Sequence, residues 1–274
     1  MPISNPIVCG SISARPSPLG VAMHNAAYRA LGLPYTYVAF GVEDTEKAVL
    51  AARYLGFRGL GVSMPHKIAI MPFLDAIDET AGSIGAVNTV VNDDGRLTGY
   101  NTDWTGAIRA LEEKVDLAGK RAVVIGSGGA ARAIVYGLVR SKSRVAIYNK
   151  TASKGKALAR DFGAIFGGTL DELGELGTPS AYDVLVNATS VGFHAPDATV
   201  VPPDVLLPGK VVLDVVFIPP ETRLLKDAAA RGCEAVAGTR MLIHQARSQF
   251  ELYTGQQAPF AVMEKALLER IGRM

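Results

Sequence analysis

The run Val123-Val124-Ile125-Gly126-Ser127-Gly128-Gly129-Ala130-Ala131 constrains this chain more than any other stretch. An apolar strand enters Gly-x-Gly-x-x-Ala, and a helical pattern over residues 133–139 follows at once. In such a strand-to-helix connection the first glycine permits a tight turn, and the second lets the backbone approach a pyrophosphate. A small third residue lets the helix lie close against the strand. The helix start offers unpaired N–H groups and the positive end of a dipole to phosphates. The run predicts a dinucleotide site built from Gly126, Ser127, Gly128, Gly129, Ala130 and Ala131, although the same turn also serves connections that bind nothing.

The tip of the following strand bears on which dinucleotide. An NAD site places Asp or Glu there for the ribose 2′-hydroxyl. Here Asn149 is followed by Lys150-Thr151-Ala152-Ser153-Lys154. Two ammonium groups and two hydroxyls attract a 2′-phosphate that a carboxylate would repel. The expectation is NADP, with NAD possible, contacted by Asn149, Lys150, Thr151 and Lys154. Without a ligand, the same lysines read as solvated loop charges.

A chain of 274 residues can hold two domains, each with its own core. Hydrophobic residues make up 49% and charged residues 20%, which marks a folded chain. A net charge of +2 without a Lys/Arg block argues against a nucleic-acid partner. No apolar run approaches the ~20 residues that span a bilayer. The first residues lack a basic and apolar leader, so a cytoplasmic location is expected. Cys9 and Cys233 read as reduced, buried thiols. The two cysteines and four histidines lack metal-ligand spacing, and no metal is expected. His66 reads as a surface or loop residue, His24 and His244 as packing or solvent residues, and Trp104 as either a cleft or a core residue. The oligomeric state stays open.

The first hundred residues alternate short strands (6–10, 35–40, 58–63) with helical spacing (19–31, 45–54). Residues 86–91 and 97–100 flank Asp93-Asp94-Gly95, a hairpin signal. Asn101-Thr102-Asp103 precedes a helix over 104–114. From Lys120 the pattern becomes repeated βα units, with apolar strands at 122–125, 145–148, 184–187 and 211–216 and a weaker one at 234–237. Strands apolar throughout and alternating with helices imply a parallel sheet covered on both faces. Helical stretches at 241–253 and 260–271 close the chain. The fold class is α/β, with two α/β domains. Residues 1–104 plus 241–274 form an N-terminal substrate-binding and catalytic domain. Residues 105–240 form a Rossmann-type dinucleotide-binding domain with a parallel sheet.

Three polar clusters in the first half carry more functionality than turns need. Arg15-Pro16-Ser17-Pro18 leads into a helix, where an arginine and a serine can hold a carboxylate. Ser17 reads equally well as a plain N-cap, with Arg15 in solvent. Ser63-Met64-Pro65-His66-Lys67 follows a strand end, where open α/β sheets place ligands. A lysine there is also an ordinary snorkelling charge. Asp103 is either a cap or a functional acid, and nothing in the spacing joins it to Lys67.

Pro65-His66-Lys67, Ala86-Val87-Asn88-Thr89, Gly99-Tyr100-Asn101-Thr102-Asp103, residues 126–131, Asn149-Lys150-Thr151 and Asn187-Ala188-Thr189-Ser190-Val191-Gly192 occur in that order. Gly238-Thr239-Arg240-Met241-Leu242 and Gln245 follow. Together they resemble the shikimate dehydrogenase family over nearly the whole chain. The resemblance implies two domains with the active site between them, and Lys67 and Asp103 as the catalytic pair. It also implies that Ser17, Ser63, Asn88 and Gln245 bind substrate, and that Thr189 and Gly238 join the cofactor set. The implied reaction is NADP-dependent interconversion of shikimate and 3-dehydroshikimate, in aromatic amino acid and chorismate biosynthesis.

Three positions depart from the family pattern. Arg15 stands where the family has the first serine of Ser-x-Ser-Pro. Gly61-Val62-Ser63 replaces Asn-Val-Thr and loses an amide side chain. Asn149-Lys150-Thr151 replaces Asn-Arg-Thr, which keeps one charge and loses a bidentate fork. The first two fall where substrate would be held, as in the shikimate dehydrogenase-like branch. Quinate or another cyclic hydroxy acid is therefore an alternative substrate, and a non-catalytic NADP-binding sensor a further reading. Folate-linked dehydrogenase chemistry is disfavoured by the pocket motifs. An isolated lysine is charged at neutral pH, and a nearby carboxylate favours that charge. Lys67 and Asp103 are therefore read as one coupled unit that relays a proton.

Overall fold

In the computed structural model, which describes residues 6–274, the strands sort into two six-stranded sheets. They belong to two units, one taking the chain up to Thr102 and again Gln245–Met274, the other Asp103–His244.

The first unit begins β1 (Ile7–Ser13), α1 (Pro18–Ala30), β2 (Tyr35–Gly41), α2 (Thr45–Tyr54), β3 (Gly59–Val62) and α3 (His66–Ala69). It continues through β4 (Ala76–Ile77), α4 (Glu79–Ile84), β5 (Thr89–Asp93) and β6 (Arg96–Tyr100). The strand order is β2-β1-β3-β5-β6-β4. β1 pairs in parallel with β2 and β3, whereas β5 runs antiparallel to β3 and β6. The β5–β6 hairpin turns on Asp94 and Gly95, at φ 52° and 92°. Both central residues of a type I′ turn need positive φ, which Asp-Gly supplies at little cost. Ile12, Leu60, Val62, Ile70, Val87 and Leu97 build a core in this unit. In α1, Leu19, Met23, His24, Ala27 and Tyr28 are buried, the spacing of one helical face.

The second unit runs α5 (Asp103–Glu112), β7 (Arg121–Ile125), α6 (Gly129–Arg140), β8 (Arg144–Tyr148), α7 (Ala152–Phe162) and β9 (Ile165–Gly168). β10 (Val184–Asn187), β11 (Val211–Asp214), α8 (Arg223–Ala230) and β12 (Glu234–Val236) follow. All six strands are parallel, in the order β12-β11-β10-β7-β8-β9. The chain moves outward from β7 through β8 to β9, then returns to lay β10 on the other side of β7. That reversal makes the ends of β7 and β10 a topological switch point, the place such sheets bind ligands. Core residues such as Val124, Ile134, Leu138, Ile147 and Leu213 cluster here, and Trp104 packs against them beside Tyr136. Trp104 is thus half-buried at the edge of this core. α9 (Gly238–Thr254) supplies residues to both units, and α10 (Phe260–Ile271) packs on α1 in the first.

Two of the strands that come out shorter than the sequence pattern suggests have a local cause. The strand expected from residue 86 starts at Thr89, because Gly85 closes α4 in the left-handed region and Val87 gives its N–H to Lys67. β11 stops at Asp214, whose carboxylate takes the Val216 N–H. A side chain there competes with the ladder for the backbone.

Candidate functional site

Four backbone hydrogen bonds gather the predicted substrate residues of the first unit. Ser63 N–H donates to Ile12 O at 2.9 Å, Ala14 N–H to Met64 O at 3.1 Å, and Val62 N–H to Asn88 O at 2.7 Å. Val87 N–H donates to Lys67 O at 2.8 Å. The loop with Arg15 and Ser17, the turn with Ser63 and Lys67, and the segment with Asn88 thus share one end of the sheet. Ser17 caps α1, its Oγ accepting from Leu19 N–H at 3.3 Å. Arg15 and Ser63 are exposed, while Lys67 and Gln245 are half-buried.

Asn88 is buried. Its Oδ1 accepts from Thr102 N–H at 2.7 Å and from Thr89 Oγ1 at 2.7 Å. Its Nδ2 lies 3.0 Å from Thr102 Oγ1. Asp103, next in the chain, opens α5 in the second unit and is fully buried. Gln249, one turn beyond Gln245 on α9, donates from Nε2 to Thr89 Oγ1 at 3.0 Å and to Asn88 O at 3.3 Å. Sequence reading passed over Gln249, though its four-residue spacing from Gln245 places both on one helix face.

His66 corrects an expectation. It is buried, with Nε2 3.1 Å from Val42 O and Nδ1 2.8 Å from Thr45 Oγ1. A carbonyl only accepts, so Nε2 carries the proton and Nδ1 accepts from the threonine. His66 therefore anchors the Lys67 turn against residues 42–45 and is no surface residue. His24 and His244 pack as expected. His24 stacks on Tyr37 at 4.3 Å. His244 Nε2 lies 2.8 Å from Glu113 Oε1, and Arg240 holds the other Glu113 oxygen at 2.9 Å. Both cysteines are free and buried.

In the second unit, Gly126 has φ 119°, and a Cβ there would sit 3.1 Å from Ala188 O, across the β7–β10 switch point. A Cβ on Gly128 would meet nothing within 4 Å, so open space lies over the turn. Ala131 is fully buried, as close packing of α6 requires, and Ser127, Gly129 and Ala130 are half-buried beside it. No side chain caps α6 or α7, and neither first turn contains an acid. Asn149 is buried and donates from Nδ2 to Thr151 O at 2.8 Å. Lys150, Thr151, Ser153 and Lys154 are exposed beyond it. A Cβ on Gly238 would lie 2.4 Å from Val216 O, so the start of α9 tolerates no side chain there.

A buried network ties the loops after β10 and β11. Asn187 Nδ2 donates to Asp214 Oδ1 at 2.9 Å, and Thr222 Oγ1 donates to Asp214 Oδ2 at 2.7 Å. Thr189 Oγ1 donates to Asn187 Oδ1 at 2.7 Å and accepts from Val191 N–H at 3.1 Å. Burial pushes the Asp214 carboxyl up from the ordinary aspartate range. Polar residues ending two apolar strands, Asn187 and Asp214, were the available signal. Among the described residues, no group of three or more His, Cys, Asp and Glu side chains is placed to hold a metal ion. No described helix is long and apolar enough to cross a membrane.

Family models match three stretches of the chain. The shikimate dehydrogenase substrate binding domain matches residues 9–90, shikimate / quinate 5-dehydrogenase residues 109–194, and the shikimate 5′-dehydrogenase C-terminal domain residues 238–268. Shikimate dehydrogenase (NADP(+)) of Moorella thermoacetica is 44% identical over 267 residues, covering 93% of this chain and 90% of that protein. The chain belongs to the shikimate dehydrogenase family. Among solved members of this fold, a shikimate dehydrogenase in complex with NADP+ superposes with a TM-score of 0.88 at 36% identity, covering 97% of this chain and 96% of the other. Quinate dehydrogenase from Corynebacterium glutamicum in complex with NAD gives 0.87 at 35%, covering 97% and 100%. Shikimate dehydrogenases of this family therefore share both α/β units with this chain.

Proposed function

We propose that this shikimate dehydrogenase family member interconverts shikimate and 3-dehydroshikimate with NADP. The gathering of Ser17, Ser63, Lys67 and Asn88 at one sheet end carries the reading. A carboxylated polyol needs several hydrogen-bonding side chains on a rigid edge, and three strand ends supply them here. The 44% identity to the Moorella shikimate dehydrogenase (NADP(+)) supports the same substrate and cofactor.

The residues of the second unit fit NADP. Gly126 permits the tight turn, Gly128 leaves open space for a pyrophosphate, and the uncapped, acid-free start of α6 offers N–H groups to it. Lys150, Thr151, Ser153 and Lys154 offer charge and hydroxyls to a 2′-phosphate, and Asn149 braces that turn. Thr189 and Gly238 complete the set. When bound, NADP supplies the acceptor for the hydrogen that leaves the ring carbon.

Ser17, Ser63, Asn88 and Gln245 hold the ring's carboxylate and hydroxyls, with Arg15 adding charge for the carboxylate. Lys67 and Asp103 handle the proton of the reacting hydroxyl as one coupled unit. In the reducing direction the Lys67 ammonium donates to the carbonyl oxygen and stabilises the charge growing there. The reading includes a cytoplasmic location. Arg15 and Gly61 favour a second reading, in which quinate is the better substrate. A steady-state panel of shikimate and quinate with NADP and NAD tests both. Highest kcat/KM for shikimate with NADP supports the first, and no turnover of either acid rejects both.

A further inference from the structure

Gly61 leaves a space that another element fills. A Cβ at this position would lie 2.9 Å from Tyr37 Oη, 3.3 Å from Ser11 Cβ and 3.5 Å from Gln249 Nε2. β3 brings Gly61 opposite Thr89 on β5, and α9 brings the Gln249 amide over the bare position. The amide then reaches Thr89 Oγ1 at 3.0 Å and Asn88 O at 3.3 Å.

The polarity of this contact is fixed. Asn88 O is a carbonyl that already accepts from Val62 N–H, so the end of Gln249 facing it is the NH2 group. Thr89 Oγ1 has one proton. Because it accepts from Gln249, its proton is free to go to Asn88 Oδ1, 2.7 Å away. The Thr102 N–H donates to that same oxygen from the other side. We infer that Gln249 is a positioning residue: through the relay Gln249 N–H to Thr89 O–H to Asn88 Oδ1, it fixes the orientation of the Asn88 amide toward substrate.

This inference rests on the reading of Asn88 as a substrate residue, and its test separates the two. Gln249→Glu keeps the shape and removes the donor. A carboxylate accepts from Thr89, turning the hydroxyl away from Asn88. The expected result is a rise in KM for shikimate of about tenfold, larger than any change in kcat, since one buried hydrogen bond is withdrawn from a binding group. KM for NADP stays at the wild-type value. Thr89→Val breaks the relay at its middle atom with little change in volume. If Gln249→Glu does not fold, Thr89→Val is judged by the same ratio. Where both fold, the double variant shows no further rise beyond the larger single effect, because both remove one relay.

A wild-type KM for shikimate in Gln249→Glu or Thr89→Val, while Asn88→Ala raises it, overturns the role of Gln249 alone. A wild-type KM in Asn88→Ala overturns the reading of Asn88 and this inference together. Additive effects of the two relay variants also overturn the relay.

Discussion

Thr102 gives its backbone N–H to Asn88 Oδ1 at 2.7 Å, immediately before the chain reaches Asp103. On the other side of Asn88, the Val87 N–H holds the Lys67 carbonyl at 2.8 Å. Two consecutive residues thus brace the backbone at Lys67 and next to Asp103. Asn88→Ala leaves the Thr102 N–H without its acceptor, which costs about 1–3 kcal/mol for a buried group. Asn88→Asp retains an acceptor for that N–H. Thermal unfolding is expected to show a lower Tm for Asn88→Ala than for Asn88→Asp, with kcat/KM for shikimate reduced in both. Equal Tm values in the two variants would remove the bracing role.

If Lys67 and Asp103 share the proton of the reacting hydroxyl, removing either has a similar consequence. Lys67→Ala and Asp103→Ala are each expected to lower kcat by on the order of 10²-fold or more. The double variant falls little further, since groups that act as one unit are non-additive. Binding of NADP, followed by nicotinamide fluorescence, stays intact. A single variant with wild-type kcat takes that residue out of the mechanism.

Lys150 is exposed on the turn that Asn149 braces, one residue past the strand tip where an NAD site carries an acid. Its ammonium is a point charge for a 2′-phosphate, without the fork of an arginine. Lys150→Ala is expected to raise KM for NADP by about tenfold, the scale of one charge-assisted contact, and to change KM for NAD far less. Equal effects on the two cofactors would show that Lys150 does not read the 2′ position. Lys150→Arg is the complementary variant, and a lower KM for NADP than wild type is expected from bidentate contact.

The second unit was legible because its signals are local. An apolar strand, a glycine turn and a small helix start occupy consecutive residues at β7 and α6, and apolar runs mark four of the other five strands. The first unit was harder to read. α3, α4 and β4 are four, six and two residues long, too short for a hydrophobic period to register. The segment between His66 and Gly85 is shaped instead by single contacts such as His66 with Val42 and Asp78 with Thr80. Asn88 stood out in a motif, but its partners Thr102 and Gln249 lie 14 and 161 residues away. No spacing rule reaches that far. Asp214 escaped notice because it lies inside the stretch 211–216 that reads as one apolar strand, and only the fold closes Thr222 and Asn187 around it.

His24 makes the stability of the first unit sensitive to acid. It is fully buried on α1 and stacked on Tyr37, and burial pushes its imidazole down to about 3. In the unfolded chain a histidine titrates near about 6.5. Between those values the unfolded chain binds a proton that the folded one does not, so stability falls as pH falls. The loss runs at up to about 1.4 kcal/mol per pH unit below pH ~6.5, and His24 contributes no slope above it. His24→Phe keeps an aromatic ring against Tyr37 and cannot be protonated. Urea unfolding at pH 7.5, 6.0 and 5.0 is expected to show the wild type losing stability relative to His24→Phe at each step down, with the carboxylates common to both cancelling in the difference. A difference that stays constant across the three pH values would mean that His24 is not buried neutral in the folded protein.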